Sequence, residues 1–207
     1  MIELIEGVRP GESKLLDEAF RHRHQIFVEE KGWNDLRRED GREIDQFDTP
    51  ATVHFIARVD NKVAGYVRIN PTTGPHLLGD VHYHLCAKDY RKGPDVWEWS
   101  RYSVAPTYRE KRGDLDVSSA LLLASLEWAD DWNISSIVLE FHPLWITRFL
   151  QHRFEVKPLG LPVMFEGEST VAVQLGFNKS TIDGMRAARG FRQPVLPLRY
   201  RRQKSVA

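Results

Sequence analysis

The sequence predicts an α/β or α+β fold, a sandwich of helices around one β-sheet, in a single domain that spans residues 1–207. Segments with the alternation of strands recur along the chain and are separated by a few segments with helical periodicity. The length of 207 residues suits one domain and is enough to bury a full hydrophobic core. No internal repeat or low-complexity block is present, so a repeat architecture is not expected.

The first part of the chain predicts a strand, a helix, a long loop and a hairpin. A short strand is expected over residues 2–5, followed by a helix whose apolar residues share one face as far as Phe27. Residues 29–50 lose all periodicity, and a loop of that length is generally functional or disordered. Its apolar residues favour a functional loop. Strands over residues 52–59 and 63–69 then predict a hairpin.

The second part of the chain adds strands and helices and ends in a basic tail. Strands are expected over residues 96–104, 134–141 and 171–177, and helices over 114–132 and 144–152. Asp116 or Ser118 is the expected N-cap of the longer helix. Residues 192–207 are rich in Arg and Lys and predict a solvated or frayed tail. A docking patch for an acidic carrier protein is the alternative.

Charge and composition exclude several classes of function. The 29 Lys and Arg balance 29 Asp and Glu, so neither a nucleic-acid partner nor a polybasic membrane surface is expected. The single Cys86 excludes an intrachain disulfide and a cysteine-based zinc site. Residues 1–6 carry acids where a signal peptide has basic residues, and no apolar run reaches the length of a membrane span. We therefore expect a cytoplasmic protein.

A strand followed by a basic loop and a strong helix suits an acyl-transfer site. The loop of residues 108–113 and the helix N-terminus after it offer positive charge and backbone N–H groups to a phosphate. A charged surface turn is the alternative. Within the strand, Glu98 lies among aromatic residues, a setting that raises a carboxylate pKa and suits a general base. On a regular strand Glu98 and Arg101 project from opposite faces unless a bulge intervenes.

Charged and aromatic residues elsewhere suit a small zwitterionic molecule that also carries a cationic centre. Arginine clamps a carboxylate, aspartate holds an ammonium, and an aromatic face attracts a sulfonium through a cation–π contact. Surface salt bridges on a mobile loop are the alternative. The residues are Arg23, Phe27, Trp33, Asp45, Asp48 and Arg68. No metal is expected, because His82 and His84 have no third ligand at a familiar spacing.

Taken together, several segments occur in an order and spacing that resemble one known family. They are Arg23-x-x-x-Phe27, Trp33, residues 41–48, residues 68–75 and residues 97–102. The set resembles the acyl-homoserine-lactone synthases, the autoinducer synthases of bacterial quorum sensing. The resemblance implies a three-layer sandwich like that of the Gcn5-related N-acyltransferases (GNAT), with a twisted mixed sheet flanked by helices.

The resemblance also implies two substrates, S-adenosyl-L-methionine and an acyl thioester, and no cofactor. Glu98 would be the base that acts on the methionine amine, with Ser100 and Arg101 as further catalytic residues. Backbone N–H groups near residues 101–104 would stabilise the oxyanion, and lactone closure would release methylthioadenosine. The implied site for S-adenosylmethionine comprises Arg23, Phe27, Trp33, Asp45, Asp48, Arg68 and Arg101.

The acyl donor and the acyl pocket are less closely defined. Residues 97–102 and 158–162 look closest to the branch that makes branched-chain and aryl lactones, which favours an acyl-CoA donor over acyl carrier protein. His82 occupies a position that is usually aromatic in the family. The candidate pocket residues, for which ordinary core packing is the alternative, are Leu139, Phe141, Leu144, Trp145, Phe149 and Met164.

Two other functions fit parts of the pattern. A Gcn5-related N-acyltransferase that acts on another amine would share the strand, loop and helix without needing Trp33, Asp45 and Asp48. A non-catalytic sensor could bind S-adenosylmethionine or a lactone to control a partner. Fold alone does not separate these functions.

Overall fold

A computed structural model describes residues 1–7, 9–111, 113, 115–165 and 167–202, and one mixed sheet of eight strands forms its centre. The strands are β1 (Ile2–Glu6), β2 (Val53–Val59), β3 (Lys62–Pro71), β4 (Val96–Val104), β5 (Ser136–Phe141), β6 (Glu155–Pro158), β7 (Val163–Phe165) and β8 (Glu168–Gly176). The α-helices are α1 (Lys14–Arg23), α2 (Leu77–Asp80), α3 (Val117–Asp131), α4 (Trp145–Gln151) and α5 (Lys179–Arg189).

The order of the sheet places β4 and β5 at its centre. The order is β1-β2-β3-β4-β5-β8-β6, with β7 paired to β8. β4 and β5 are parallel, and the other neighbouring strands run antiparallel. The parallel ladder covers only residues 96–98 and 136–138, so beyond Glu98 the two strands no longer pair. The sheet therefore opens beside the C-terminal half of β4.

A bulge in β4 turns the strand next to this opening. Arg68 pairs with Ser100 whereas Tyr66 pairs with Ser103, which leaves one extra residue on β4. Arg101 adopts the left-handed conformation with φ 56°, which is uncommon for a residue that is not glycine. On a regular strand Glu98 and Arg101 would project from opposite faces of the sheet. The bulge changes this alternation, so both side chains can contribute to one site.

Helices cover both faces of the sheet. α3 packs its fully buried Leu121, Leu123 and Leu126 on one face, and its N-cap is Asp116, which accepts a hydrogen bond from the Ser119 N–H at 2.9 Å. The other face carries α1, through Ala19 against the sheet, and α2. This three-layer arrangement confirms the predicted fold class.

Most predicted elements are present, and among the described α-helices and strands two of each were not predicted. The first strand, the hairpin, β4, α3, β5, α4 and β8 lie where the patterns placed them, although α3 is shorter than residues 114–132. The first helix continues as a π-helical segment, His24–Glu30. The elements without a prediction are α2, β6, β7 and α5.

The described part of the predicted basic tail packs against the rest of the protein. The N–H groups of Val195 and Leu196 donate to Glu127 at 2.9 and 2.8 Å. Arg199 pairs with Glu3 at 2.8 Å. Residues 203–207, including Lys204, lie outside the described residues. Within the described ranges, no helix combines the length and apolar character needed to cross a membrane.

Candidate active site

Arg23, at the last turn of α1, is the centre of a buried network of charges. Its Nε donates to Glu43 at 2.5 Å, and its two Nη atoms donate to Asp48 at 2.7 and 3.1 Å. Arg23 is fully buried. Although burial opposes ionisation, the charges of Arg23 and Arg68 hold the pKa of Asp48 well below its usual range. Arg23 therefore fixes the 43–48 segment to α1.

Two more arginines complete the network from the sheet. Arg68 on β3 donates to Asp45 at 2.5 Å and to the Ser100 hydroxyl at 2.9 Å. Arg101 on β4 donates to Asp45 at 2.9 Å and to Glu43 at 3.2 Å. Three guanidinium groups thus face three carboxylates, Glu43, Asp45 and Asp48. Such mutual pairing is what allows charges to be buried.

An aromatic pair lies over this network. The rings of Phe27 and Trp33 are stacked, with centroids 5.1 Å apart and an interplanar angle of 17°. The Arg101 guanidinium lies 5.6 Å from the Phe27 centroid and 5.7 Å from the Trp33 centroid. Phe27 is buried in the π-helical segment, and Trp33 is half-buried. The half-buried indole offers an aromatic face for a cation or for another ring.

Glu98 is the buried carboxylate of β4. Its oxygens accept hydrogen bonds from the N–H groups of Leu77 and Leu78, at 3.0 and 2.6 Å, in the first turn of α2. Burial raises its pKa to about 7, although these N–H groups and the charge of Arg68 act in the opposite direction. A carboxylate with this pKa exchanges a proton readily at neutral pH, as a general base must.

His82 and Glu140 pair on the same side of the sheet as Glu98. Nδ1 of His82 lies 2.5 Å from Oε1 of Glu140, and the His82 ring packs on Phe165 with centroids 4.8 Å apart. The imidazole of His82 therefore makes the ring contact that an aromatic residue would make at this position. It also makes a polar contact with Glu140. Within the described ranges, no three or more His, Cys, Asp or Glu side chains form a group that could hold a metal.

The candidate acyl-pocket residues separate into two groups. Leu139, Phe141 and Phe149 are half-buried and pack against the main core, and the Phe141 and Phe149 centroids lie 5.2 Å apart. Strand alternation places Leu139 and Phe141 on the face opposite to Val138, which lies beside α2. The others are exposed: Leu144 at 79%, Trp145 at 46% and Met164 at 72%.

The basic loop before α3 is partly engaged in contacts of its own. Arg109 donates to Glu30 at 2.7 Å and to the Val104 carbonyl at 3.1 Å. The carboxylate of Asp116 caps the helix that follows. Arg112 and Asp114 lie outside the described residues. The phosphate role of this loop stays a prediction.

Three groups at the site have no counterpart in the sequence-based assignment. Glu43 accepts hydrogen bonds from both Arg23 and Arg101. It lies two residues before Asp45 in the matched segment 41–48, and that position could have identified it as a site residue. Asn70 pairs with Glu98 across β3 and β4. The N–H groups of residues 77–78 belong to a helix of four residues, which is too short to show periodicity.

Comparison with known proteins identifies the family. The profile described as autoinducer synthase matches residues 9–175. The chain belongs to the autoinducer synthase family. An isovaleryl-homoserine lactone synthase of Bradyrhizobium diazoefficiens is 38% identical over 185 residues, which cover 88% of this chain and 83% of that protein. An acyl-homoserine-lactone synthase of Pseudomonas aeruginosa is 32% identical over 176 residues, which cover 84% of this chain and 85% of that protein.

Solved structures agree with this membership. The CoA-dependent acyl-homoserine lactone synthase BjaI, in a structure with SAM and isopentyl-CoA, matches with a TM-score of 0.83 and 36% identity over 94% of this chain and 91% of that chain. An acyl-CoA N-acyltransferase from Pseudomonas aeruginosa, 12% identical over 84% of this chain and 97% of that chain, shares the fold with a TM-score of 0.58. This autoinducer synthase is therefore an acyltransferase with a GNAT-like fold and makes an acyl-homoserine lactone for quorum sensing.

Proposed function

We propose that this autoinducer synthase transfers an acyl group from acyl-CoA to the amine of S-adenosylmethionine and then closes the lactone ring, releasing methylthioadenosine. The observation that carries the proposal is Glu98, a buried carboxylate with a pKa near 7 beside a balanced cluster of arginines and acids. BjaI, which is described as CoA-dependent, supports the choice of donor. Both substrates are cytoplasmic metabolites, so we place the reaction in the cytoplasm.

S-adenosylmethionine would bind where the charge network meets the aromatic pair. The Phe27 and Trp33 stack presents a face to the adenine or to the sulfonium. Arg68 would bind the methionine carboxylate through its Nη2, which has no hydrogen-bond partner among the described residues. Arg23, Asp45, Asp48 and Arg101 hold this surface in place through their mutual ion pairs.

Acyl transfer begins when Glu98 removes a proton from the substrate ammonium, directly or through water. The amine nitrogen forms a bond to the thioester carbonyl carbon, and the carbonyl oxygen takes the negative charge. N–H groups of the bulged 101–104 segment, with the Ser100 hydroxyl nearby, would stabilise that charge. The C–S bond then breaks, and the thiolate takes up the proton released from nitrogen.

Lactone closure follows without a second protein nucleophile. A carboxylate oxygen of the acylated methionine attacks its own γ-carbon, and the bond from that carbon to the sulfonium breaks. Neutral methylthioadenosine leaves with the electron pair. Because the attack is intramolecular, its main requirement is that the carboxylate is held close to the γ-carbon in the right orientation. Arg68 would provide this positioning.

The acyl chain would enter where β4 and β5 separate. We assign Leu139, Phe141 and Phe149 to the pocket because they form one half-buried cluster, and we keep Trp145 as a residue at its edge. An acyl carrier protein is the alternative donor, and basic residues such as Arg109 would then contribute to its docking.

The function is tested with purified protein, S-adenosylmethionine and a panel of acyl-CoA and acyl carrier protein thioesters. Equal amounts of free thiol and methylthioadenosine from one donor would support the synthase and name its acyl group and carrier. Thiol without methylthioadenosine would favour an N-acyltransferase with another amine substrate. Binding of S-adenosylmethionine without turnover of any donor would favour a sensor.

Glu98→Gln tests the assignment of the base. The variant keeps the shape of the side chain but cannot accept the proton, so we expect a loss of amide formation of at least about 100-fold. S-adenosylmethionine should still bind with nearly the wild-type Kd in a calorimetric titration. Glu155→Gln, an exposed change on β6, is the matched control with normal turnover. Loss of binding in a folded Glu98→Gln protein would make Glu98 a binding residue instead.

A further inference from the structure

The side chain of Asn70 is a buried amide that forms no hydrogen bond with the described residues. Its side chain lies on β3 directly opposite Glu98 of β4 and is 1% exposed. Both Oδ1 and Nδ2 are buried and have no hydrogen-bond partner among the residues that the structure describes. Burying an amide without partners is costly, and a leucine of similar size would avoid that cost. An amide at such a position indicates a ligand that forms hydrogen bonds with its Oδ1 and Nδ2.

The neighbours of Asn70 show which chemistry it would meet. Residues two apart on a strand share a face, so the side chains of Arg68 and Asn70 project on the same side as that of Glu98. Nη2 of Arg68 also has no partner among the described residues. A guanidinium N–H, a primary amide and a carboxylate therefore follow one another on one buried surface.

We propose that Asn70 binds the α-amino-acid head of the acyl acceptor, an inference that rests on the proposed function. Its Oδ1 accepts a hydrogen bond from the substrate amine, and its Nδ2 donates to the adjacent α-carboxylate. The second carboxylate oxygen then faces Arg68, and the amine faces Glu98. The amine and carboxylate of an α-amino acid lie side by side, as the two ends of an asparagine amide do, so one side chain satisfies both.

The arrangement gives Asn70 a role in orientation as well as affinity. Arg68 alone fixes the carboxylate but leaves the amine able to rotate about the bond to the α-carbon. A hydrogen bond from the amine to Oδ1 removes that freedom and directs the nitrogen toward Glu98 and the thioester. Fixing a nucleophile in this way lowers the entropic part of the barrier.

Asn70→Leu tests the proposal by calorimetric titration of two ligands. S-adenosylmethionine carries the amino-acid head, whereas methylthioadenosine has the same nucleoside without it. We expect the Kd for S-adenosylmethionine to rise about 10- to 100-fold, as for the loss of hydrogen bonds to charged groups. The Kd for methylthioadenosine should not change, and the Tm of the ligand-free protein should stay equal or rise.

Asn70→Asp gives a second test that keeps the shape and one acceptor. This side chain cannot donate to the α-carboxylate and repels it, so S-adenosylmethionine should again bind at least about 10-fold more weakly. Equal weakening of both ligands in either variant would show a merely structural role and overturn the proposal, as would unchanged binding of S-adenosylmethionine. Wild-type protein that binds methylthioadenosine but not S-adenosylmethionine would instead overturn the proposed function.

Discussion

Glu98 is a buried carboxylate with a raised pKa, and its burial has a cost for folding when it is ionised. Its pKa is about 7 in the folded protein, against an ordinary value of 4.5. Between these two pH values the folded state keeps a proton that the unfolded state has lost. The stability that comes from holding this proton is complete below about pH 4.5 and is lost as the pH rises through 7.

We therefore expect the stability difference between Glu98→Gln and the wild type to depend on pH. The free energy of unfolding of the variant, minus that of the wild type, should increase between pH 5 and pH 8, by at most about 3 kcal/mol. Urea denaturation of both proteins at several pH values measures this difference. Groups that titrate in the same way in both proteins contribute nothing to it. A difference that does not change with pH would show that folding does not raise the pKa of Glu98 above its value in the unfolded chain.

At the scale of residues, the matched segments predicted which side chains meet, and the bulge was not predictable. Arg23, Asp48 and Arg68 do form one cluster, because an arginine at a helix end and acids in a long loop need mutual pairing to be buried. The left-handed conformation of Arg101 has no local signal, since glycine or asparagine is the usual residue at such a position. Asn70 lies in the matched segment 68–75, but its position opposite Glu98 could not be found from sequence, because it becomes known only with the register of β3 and β4.

At the scale of elements, Glu43 is the connection between the 43–48 loop, α1 and β4. It is fully buried and pairs with both Arg23 and Arg101. Although burial opposes ionisation, these two charges lower the pKa of Glu43. The loop has no regular structure between residues 37 and 52, so its position depends on ion pairs of this kind.

Glu43→Gln should therefore destabilise the protein more than the loss of an exposed ion pair does. We expect the free energy of unfolding to fall by about 3–5 kcal/mol, the range for breaking one partner of a buried pair. Glu29→Gln, which removes an exposed pair with Arg37, is the matched control and should have no measurable effect. Equal effects of the two substitutions in chemical denaturation would contradict the role given to Glu43.

The elements that were not predicted differ in how much signal they carry. β6, β7 and α2 have three or four residues each, too few for a period to be visible. The helix α5 did carry a signal, because Asn178 forms a capping box with Thr181 and Gly190 ends the helix with φ 79°. The π-helical segment after α1 leaves no mark in the apolar spacing, although it carries Phe27 to its stacked position.

At the scale of the whole molecule, the sheet separates Glu98 from much of the packing that stabilises the fold. Glu98 lies on the face covered by α2, whereas α3 covers the opposite face. On that opposite face, Glu127 of α3 is 3% exposed and binds Arg186 of α5 at 2.6 Å. Glu127 also accepts from the 195–196 backbone, so it joins α3, α5 and the C-terminal segment.

Glu127→Gln should lower stability while leaving the chemistry intact. The substitution leaves Arg186 with only the exposed Asp183 as a charged partner and weakens the attachment of residues 190–202, so we expect the free energy of unfolding to fall by about 3 kcal/mol. Limited proteolysis should cleave the C-terminal segment faster than in the wild type. At a temperature where both proteins are folded, kcat for acyl transfer should be equal, because no contact of Glu127 reaches the face that carries Glu98. Glu168→Gln, an exposed change on β8, is the matched control. A reduced kcat in folded Glu127→Gln would show that the two faces of the sheet are coupled.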